Sequence, residues 1–206
     1  MPRRFDPTEE QFERLVTAYE RFAPFDQQMI YAFKQVHSGV RIAKGERWLS
    51  VGERCEHVAF VVSGLLHMFY EVDGKVTSIE FSFENGITAD YDSFLRQAPA
   101  RVNIEALEDA ELLVMSFQGM QWLYENISGS DRIGRRVAEF LFMAVSAKND
   151  SFILDTPEQR YLTLLTTRPK LMQRVPLYLI ASYLGVTPEA LSRIRRRLAQ
   201  QGVSTS

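Results

Sequence analysis

The side chains best suited to binding chemistry lie near the C-terminal end, in residues 187–200. Glu189, Arg193 and Arg196 recur at helical spacing, and Ser192 lies at the edge of the same face. An Arg side chain can donate two hydrogen bonds to a guanine edge, and a Glu can accept one from cytosine. This face therefore has the chemistry needed to read bases in a DNA major groove.

Two short helices joined by a tight turn must position that face. Gly185 ends a first run of apolar residues at helical spacing, because Gly adopts a left-handed backbone at little cost. Thr187 is then a predicted N-cap, and Pro188 suits the first position of the second helix. The whole pattern is that of a helix-turn-helix: Ile180-Ala181, Leu184-Gly185-Val186, Leu191 and Ile194.

We therefore predict a DNA-binding surface, whose residues are Thr187, Glu189, Ser192, Arg193, Arg195, Arg196 and Arg197. Glu189 and Arg193 are expected to read bases, since they lie one turn apart opposite the apolar side. Arg195 and Arg197 are expected to hold phosphates of the two strands. The alternative is a two-helix corner of another α domain with a solvated basic face; the joint fit of seven positions and three consecutive arginines favours DNA.

The charge distribution supports this interpretation. The 206-residue chain has a net charge of −2, but residues 168–206 carry seven basic residues and one acidic residue. Basic charge is thus concentrated in the last fifth, as in a DNA-binding module joined to an acidic domain. The single cysteine, Cys55, excludes an internal disulfide. Neither a signal peptide nor a membrane-spanning run is evident, so a cytoplasmic location without membrane contact is the expectation.

The pattern of apolar residues changes twice along the rest of the chain. Residues 8–36 have helical periodicity, whereas residues 40–117 contain short β-branched and aromatic runs separated by glycines, including a hairpin signal at Asp73-Gly74. Many short strands with regular turns indicate a barrel, a sandwich or a jelly roll. After residue 117 the helical period returns.

A long helix is predicted over residues 131–148. Ile133, Val137, Phe140 and Ala144 follow one another at steps of four, three and four, which is a heptad-type seam. Such a seam often means only burial within the chain. Since this helix lies between a β domain and a DNA-binding module, we predict that it forms a homodimer interface.

The order of these elements resembles the family of cyclic-AMP receptor protein and the fumarate–nitrate reductase regulator (CRP/FNR). The resemblance covers nearly the whole chain and is strongest in YLIASYLGVTPEALSRIRRRL (178–198), TPEQRYLTLL (156–165) and HVAFVVSGLLHMFYE (57–71). It implies an α+β fold with an N-terminal double-stranded β-helix, which is a jelly roll like that of cyclic-nucleotide-binding domains. A long dimerisation helix and a C-terminal helix-turn-helix would follow it.

The resemblance also implies domains at 1–127 (a β-roll sensor with flanking helices), 128–150 (the dimerisation helix) and 151–206 (the DNA-binding domain). The expected protein is a homodimeric bacterial transcription factor that binds double-stranded DNA and RNA polymerase. In the family's recognition helix, an Arg-Glu pair and a later Arg read bases. Glu189 and Arg193 match the last two, but Pro188 replaces the first Arg, so base preference is expected to differ there.

The effector region matches the family less well. Nucleotide-binding members have a Gly-Glu pair and, about ten residues later, an Arg followed by Ser or Thr. Asp90 stands near the position of the Glu and Arg101 near that of the Arg, but Val102 follows and Ala100 precedes. We therefore expect no standard cyclic-AMP site. A variant nucleotide cassette, or an unidentified small-molecule effector in the β-roll, remains open.

No cofactor or metal site is predicted. One cysteine excludes the four-cysteine iron–sulfur cluster of the family's oxygen sensors. Cys55, His37, His57 and His67 form no ligand motif for haem or metal. The alternatives to a regulator are a cupin-like β-roll enzyme, which needs clustered histidines with a carboxylate, and an interaction module without DNA binding. Scattered histidines disfavour the enzyme, and the arginine-rich face disfavours the module.

Overall fold

A computed structural model describes residues 3–202. The strands are β1 (Arg3–Phe5), β2 (His37–Ile42), β3 (Arg47–Leu49), β4 (His57–Ser63), β5 (Leu66–Val72), β6 (Lys75–Ser82), β7 (Ile87–Thr88), β8 (Asn103–Ala106) and β9 (Ala110–Ser116). The helices are α1 (Glu9–Glu20), α2 (Gln27–Val36), α3 (Tyr91–Arg96), α4 (Phe117–Asn126), α5 (Ser130–Leu154), α6 (Pro157–Thr167), α7 (Pro169–Arg174), α8 (Leu177–Tyr183) and α9 (Pro188–Gln200).

The strands form two sheets, with the orders β1-β2-β9-β4-β7 and β3-β8-β5-β6. In the first sheet, β9 pairs antiparallel with β2 and β4, and the cross-strand pairs Phe60–Leu113 and Val61–Leu112 are fully buried. Because successive strand residues face opposite sides, both faces of this sheet are covered. The predicted α+β fold with a jelly-roll domain and C-terminal helices is confirmed.

Local sequence signals set several element boundaries. Thr8 and Thr156 each cap a helix through a capping box, with Gln11 and Gln159 at the third helical position. Asp73 and Gly74 both have positive φ, as a two-residue hairpin turn between β5 and β6 requires. The hairpin turn predicted at Asp73-Gly74 is confirmed.

Other elements differ from the prediction. The sequence predicts a simple connection over residues 169–175, but this stretch contains helix α7. Helix α5 runs from Ser130 to Leu154, six residues beyond its predicted end. The sequence also predicts Pro176 at the first position of the first helix of the helix-turn-helix, but Pro176 precedes α8 as its cap residue. Strand β1 and helix α3 carry too short a pattern to be predicted from periodicity.

The chain divides into two compact units. The first contains Met1–Met68 and Phe81–Phe140, and the second contains Phe69–Glu80 and Leu141–Ser206. The division therefore falls inside α5, and the tip of the β5–β6 hairpin is grouped with the helix-turn-helix. The domain bounds given above stay a prediction. Within residues 3–202, no helix is long and apolar enough to cross a membrane.

Candidate nucleic-acid interface

Helices α8 and α9 form the predicted helix-turn-helix. Leu191, Ile194 and Leu198 of α9 are buried, and Ala181 of α8 is completely buried. Between the helices, Gly185 has a φ of +70°, and a Cβ atom there would lie 2.7 Å from the Phe152 ring. Both the backbone conformation and the close neighbour explain why a glycine occupies the turn.

The opposite side of α9 is exposed. Glu189, Ser192, Arg193 and Arg196 all lie on the surface, as predicted. The Thr187 hydroxyl accepts a hydrogen bond from the Ala190 N–H at 3.2 Å and so caps the helix. The Glu189 N–H and the Thr187 hydroxyl lower the pKa of the Glu189 carboxyl, which keeps it charged and able to accept hydrogen bonds.

The flanking arginines have partners inside the chain. Arg195 is partly buried and donates a hydrogen bond to the Tyr161 hydroxyl of α6. Arg197 forms a salt bridge with Glu158, which lies in the first turn of α6. In contrast, Arg193 and Arg196 form no salt bridge with any residue in 3–202. The four arginines therefore differ in how readily each can engage a ligand, and the phosphate-binding role of Arg195 and Arg197 stays a prediction.

The predicted dimer seam is not a single exposed face. Ile133 and Val137 are buried within the chain, and the Phe140 ring packs edge-on against Phe22 with a centroid separation of 5.7 Å. Only Ala144 is exposed without such packing. Ile133 and Val137 are thus covered by the chain's own first unit, whereas Phe140 is still 44% exposed, and the dimer role of this seam stays a prediction.

A different apolar stripe is exposed on α5. Phe142, Val145 and Ile153 are 74, 69 and 71% exposed, and Asn149 is exposed between them. At 3.6 residues per turn, these four positions fall within about 80° of the helix circumference, roughly opposite Ala144. Their spacing of three, four and four was visible in the sequence, but a second apolar seam on the same helix concealed it.

The hairpin tip in the second unit contacts α8. The Ser182 hydroxyl donates to the Val76 carbonyl at 3.1 Å and accepts from the Ser78 N–H at 2.9 Å. Arg168 donates to the Glu80 carboxylate at 2.6 Å and to the Tyr183 hydroxyl at 3.0 Å. Strand residues of the β5–β6 hairpin are therefore hydrogen-bonded to the first helix of the helix-turn-helix.

The candidate effector residues lie close together but are already engaged. One carboxylate oxygen of Asp90 accepts from the Ser93 N–H and caps α3, and the other accepts from the Arg101 N–H at 3.3 Å. The Arg101 side chain is exposed, and Ala100 beside it is buried. The Asp90 carboxylate thus stabilises its own loop.

A separate cleft of about 550 Å³ opens between the two sheets of the first unit. Val40, Leu49 and Val114 form its apolar part, and Trp48 and His57 contribute rings 6.1 Å apart. Burial lowers the pKa of the His57 imidazole and raises the pKa of the Cys55 thiol to about 11, so both are uncharged near neutral pH. Among residues 3–202, no group of three or more His, Cys, Asp or Glu side chains is placed to hold a metal ion.

Comparisons with known proteins agree with this architecture. Residues 40–126 match the cyclic nucleotide-binding domain. This part of the chain therefore has the fold of a cyclic nucleotide-binding domain. No curated protein sequence matches the chain significantly.

Several solved structures share the fold. FixK2 from Bradyrhizobium japonicum is 20% identical, with a TM-score of 0.70 over 82% of this chain and 87% of that one. The c-di-GMP responsive regulator CLP from Xanthomonas campestris is 18% identical, with a TM-score of 0.65 over 86 and 93% of the two chains. The catabolite activator protein of Thermus thermophilus is 16% identical, with a TM-score of 0.57 over 90 and 88%.

These similarities confirm the fold predicted from sequence, which is a jelly roll of the cyclic nucleotide-binding type followed by C-terminal helices. The matched residues 40–126 begin in β2 and end with α4, so the match to the cyclic nucleotide-binding domain covers the β-roll but not the helix-turn-helix. The structural neighbours cover both regions, and they include a putative transcriptional regulator of the crp/fnr family from Eubacterium rectale, which is 15% identical with a TM-score of 0.67 over 86 and 85% of the two chains. At these identities the likeness establishes the fold, and the DNA-binding residues must be argued from their own geometry.

Proposed function

We propose that the chain is a homodimeric transcriptional regulator of the CRP/FNR type that binds a palindromic operator. One observation carries this proposal: α9 buries Leu191, Ile194 and Leu198 and presents Glu189, Arg193 and Arg196 to solvent. A helix with one side fixed to its domain and a cationic, hydrogen-bonding opposite side fits a major groove.

A two-fold dimer would give the protein two such helices. We place its interface on the α5 stripe formed by Phe142, Val145, Asn149 and Ile153. Three of these side chains expose large apolar surfaces that a second copy of the same helix would cover. Asn149 lies within the stripe, where a polar residue in an apolar seam specifies the register and number of helices at some cost in stability. The interface would thus be self-complementary, as two-fold symmetry requires.

The β-roll would act as a sensor that does not bind cyclic AMP in the standard way. Both Asp90 oxygens accept backbone hydrogen bonds, and Ala100 occupies a buried position beside the exposed Arg101. A cyclic phosphate taken out of water needs several charge-assisted hydrogen bonds, and this loop supplies few. A variant cassette or an effector in the 550 Å³ cleft is compatible with the same roll.

A DNA target implies a cytoplasmic location, and regulation of transcription implies contact with RNA polymerase. A catalytic role is the less favoured alternative. The histidines His37 and His67 are buried against Phe33 and Phe81, and His57 lies beside Trp48. The cupin-like enzyme considered above would instead need histidines that converge with a carboxylate.

The test is selection of genomic DNA fragments on the purified protein, followed by titration of the best fragment and a scrambled duplex. Arg193→Ala should weaken the operator complex by about 1–3 kcal/mol and reduce the ratio of the affinity for the operator to the affinity for the scrambled duplex. Arg132→Ala removes the same charge from the exposed start of α5 and should leave this affinity ratio unchanged. Equal weakening of both duplexes by Arg193→Ala would mean that the reading face is wrongly assigned.

A further inference from the structure

Glu158 occupies an unusual place for an acidic residue in a DNA-binding domain. It is the second residue of α6, directly after the Thr156 cap and Pro157. Its side chain is 28% exposed and forms a salt bridge with Arg197 of α9, which is 58% exposed. A carboxylate is thus joined to one of the arginines on the flank of the proposed recognition face.

The pair lies along a groove of about 700 Å³ between the start of α6 and α9. Arg193 lines the same groove one helical turn before Arg197, and Ile194 and Val186 supply its apolar surface. A DNA phosphate that approached Arg197 from this side would meet the Glu158 carboxylate as well. Like charges at such short range repel, and the repulsion is strongest where water is partly excluded.

Arg193 differs from Arg197 in this respect. Arg193 is exposed and forms no salt bridge among residues 3–202. The arginine assigned to base reading is therefore available to DNA, whereas the arginine assigned to phosphate binding is neutralised by the protein itself. Binding to DNA of any sequence depends on how many phosphates the protein neutralises, so the pair reduces that sequence-independent part of the affinity.

We propose that Glu158 is an internal competitor for DNA phosphate, which neutralises Arg197 and so limits the sequence-independent part of DNA binding. This inference rests on the proposed function, because it assumes that α9 docks on DNA. It assigns a role in DNA affinity to a residue outside the helix-turn-helix. The sequence placed Glu158 in a helical first turn but gave no sign of its partner, which lies 39 residues further along the chain.

The experiment compares wild type, Glu158→Gln and the double variant Glu158→Gln/Arg197→Ala in the full chain. Each is titrated by fluorescence anisotropy against a selected operator and a scrambled duplex at several salt concentrations. Freeing Arg197 should add one phosphate contact, so Glu158→Gln should bind both duplexes on the order of tenfold more tightly at 0.1 M salt. Its salt slope should steepen by about 0.9, and the double variant should return to the wild-type slope.

Glu139→Gln is the matched control, because Glu139 forms an exposed salt bridge with Arg135 on α5 and has the same charge. It should leave both affinities unchanged. If Glu139→Gln tightens binding as much as Glu158→Gln, the effect is one of net charge and the inference is wrong. If wild type binds both duplexes and Glu158→Gln binds each with the wild-type affinity, this inference is wrong but the proposed function stands. If wild type binds neither duplex, the proposed function is wrong as well.

Discussion

The clearest single perturbation of the proposed dimer is Val145→Glu. Val145 is 69% exposed in the single chain and lies in the α5 stripe between Phe142 and Asn149. In a two-fold dimer, each substitution would remove one covered valine and bring a carboxylate close to its symmetry mate. Neighbouring Ala144 points to another side of the helix and belongs to the seam first predicted from spacing.

The size of the effect follows from burial. Covering about 70% of a valine contributes about 1–2 kcal/mol, so two copies contribute about 2–4 kcal/mol. Leaving a charge unpaired in an interface costs several kcal/mol more. A loss of at least about 5 kcal/mol raises the dimer Kd by more than a thousandfold, since each 1.4 kcal/mol is tenfold. Val137→Glu would be a poor test, because Val137 is buried and a charge there destabilises the fold itself.

The assay is sedimentation velocity of wild type, Val145→Glu and Ala144→Glu over a hundredfold range of concentration, with circular dichroism as the check of folding. We expect wild type and Ala144→Glu to be dimers and Val145→Glu to be a folded monomer. A dimeric Val145→Glu, or a monomeric Ala144→Glu, would refute the assignment of the stripe. The second outcome would instead favour the seam that contains Ala144.

Three further predictions concern the roll and the turn. Isothermal calorimetry with cyclic AMP should show no saturable binding at micromolar concentrations, because Asp90 is already engaged; tight binding would restore a nucleotide-sensing role. Burial lowers the pKa of His37 to about 4, whereas an unfolded His has a value of about 6.5. As the pH falls, the His37 imidazole therefore takes up a proton in the unfolded chain before it does so in the folded chain. Its contribution to the free energy of unfolding is fully present above about pH 6.5 and declines toward pH 4, with a loss of about 2 kcal/mol at pH 5. The urea midpoint of unfolding should therefore be lower at pH 5 than at pH 7.5, and His37→Gln should make this difference between the two midpoints smaller. If the variant shows the same difference as wild type, His37 is not its source. Gly185→Ala should destabilise by about 1–3 kcal/mol, through its positive φ and the Phe152 ring. Gly45 has a similar φ and no neighbour within 4 Å of an added Cβ, so Gly45→Ala should lower the thermal unfolding temperature less than Gly185→Ala. Equal decreases for the two variants would show that the contact with the Phe152 ring is unimportant.

Local rules account for what could be predicted from the sequence. The helix caps at Thr8, Thr156 and Thr187, and the Asp73-Gly74 turn, each depend on residues within four positions of one another. The two faces of α9 likewise follow from the helical period alone. The helix-turn-helix, the hairpin and the succession of helical and β regions were therefore readable from the sequence, and so were the exposed Glu189 and Arg193.

Contacts between distant residues decided the rest. Helix α5 carries two apolar seams, and only the fold shows that Ile133 and Val137 at the start of one are buried within the chain, whereas Phe142, Val145 and Ile153 of the other are exposed. The sequence shows four arginines in α9, but only the fold places Glu158 beside Arg197 and Tyr161 beside Arg195. Periodicity specifies that a side chain faces a given side of its helix. It cannot specify what covers that side, because the covering residues come from elements brought together by the burial of the whole core.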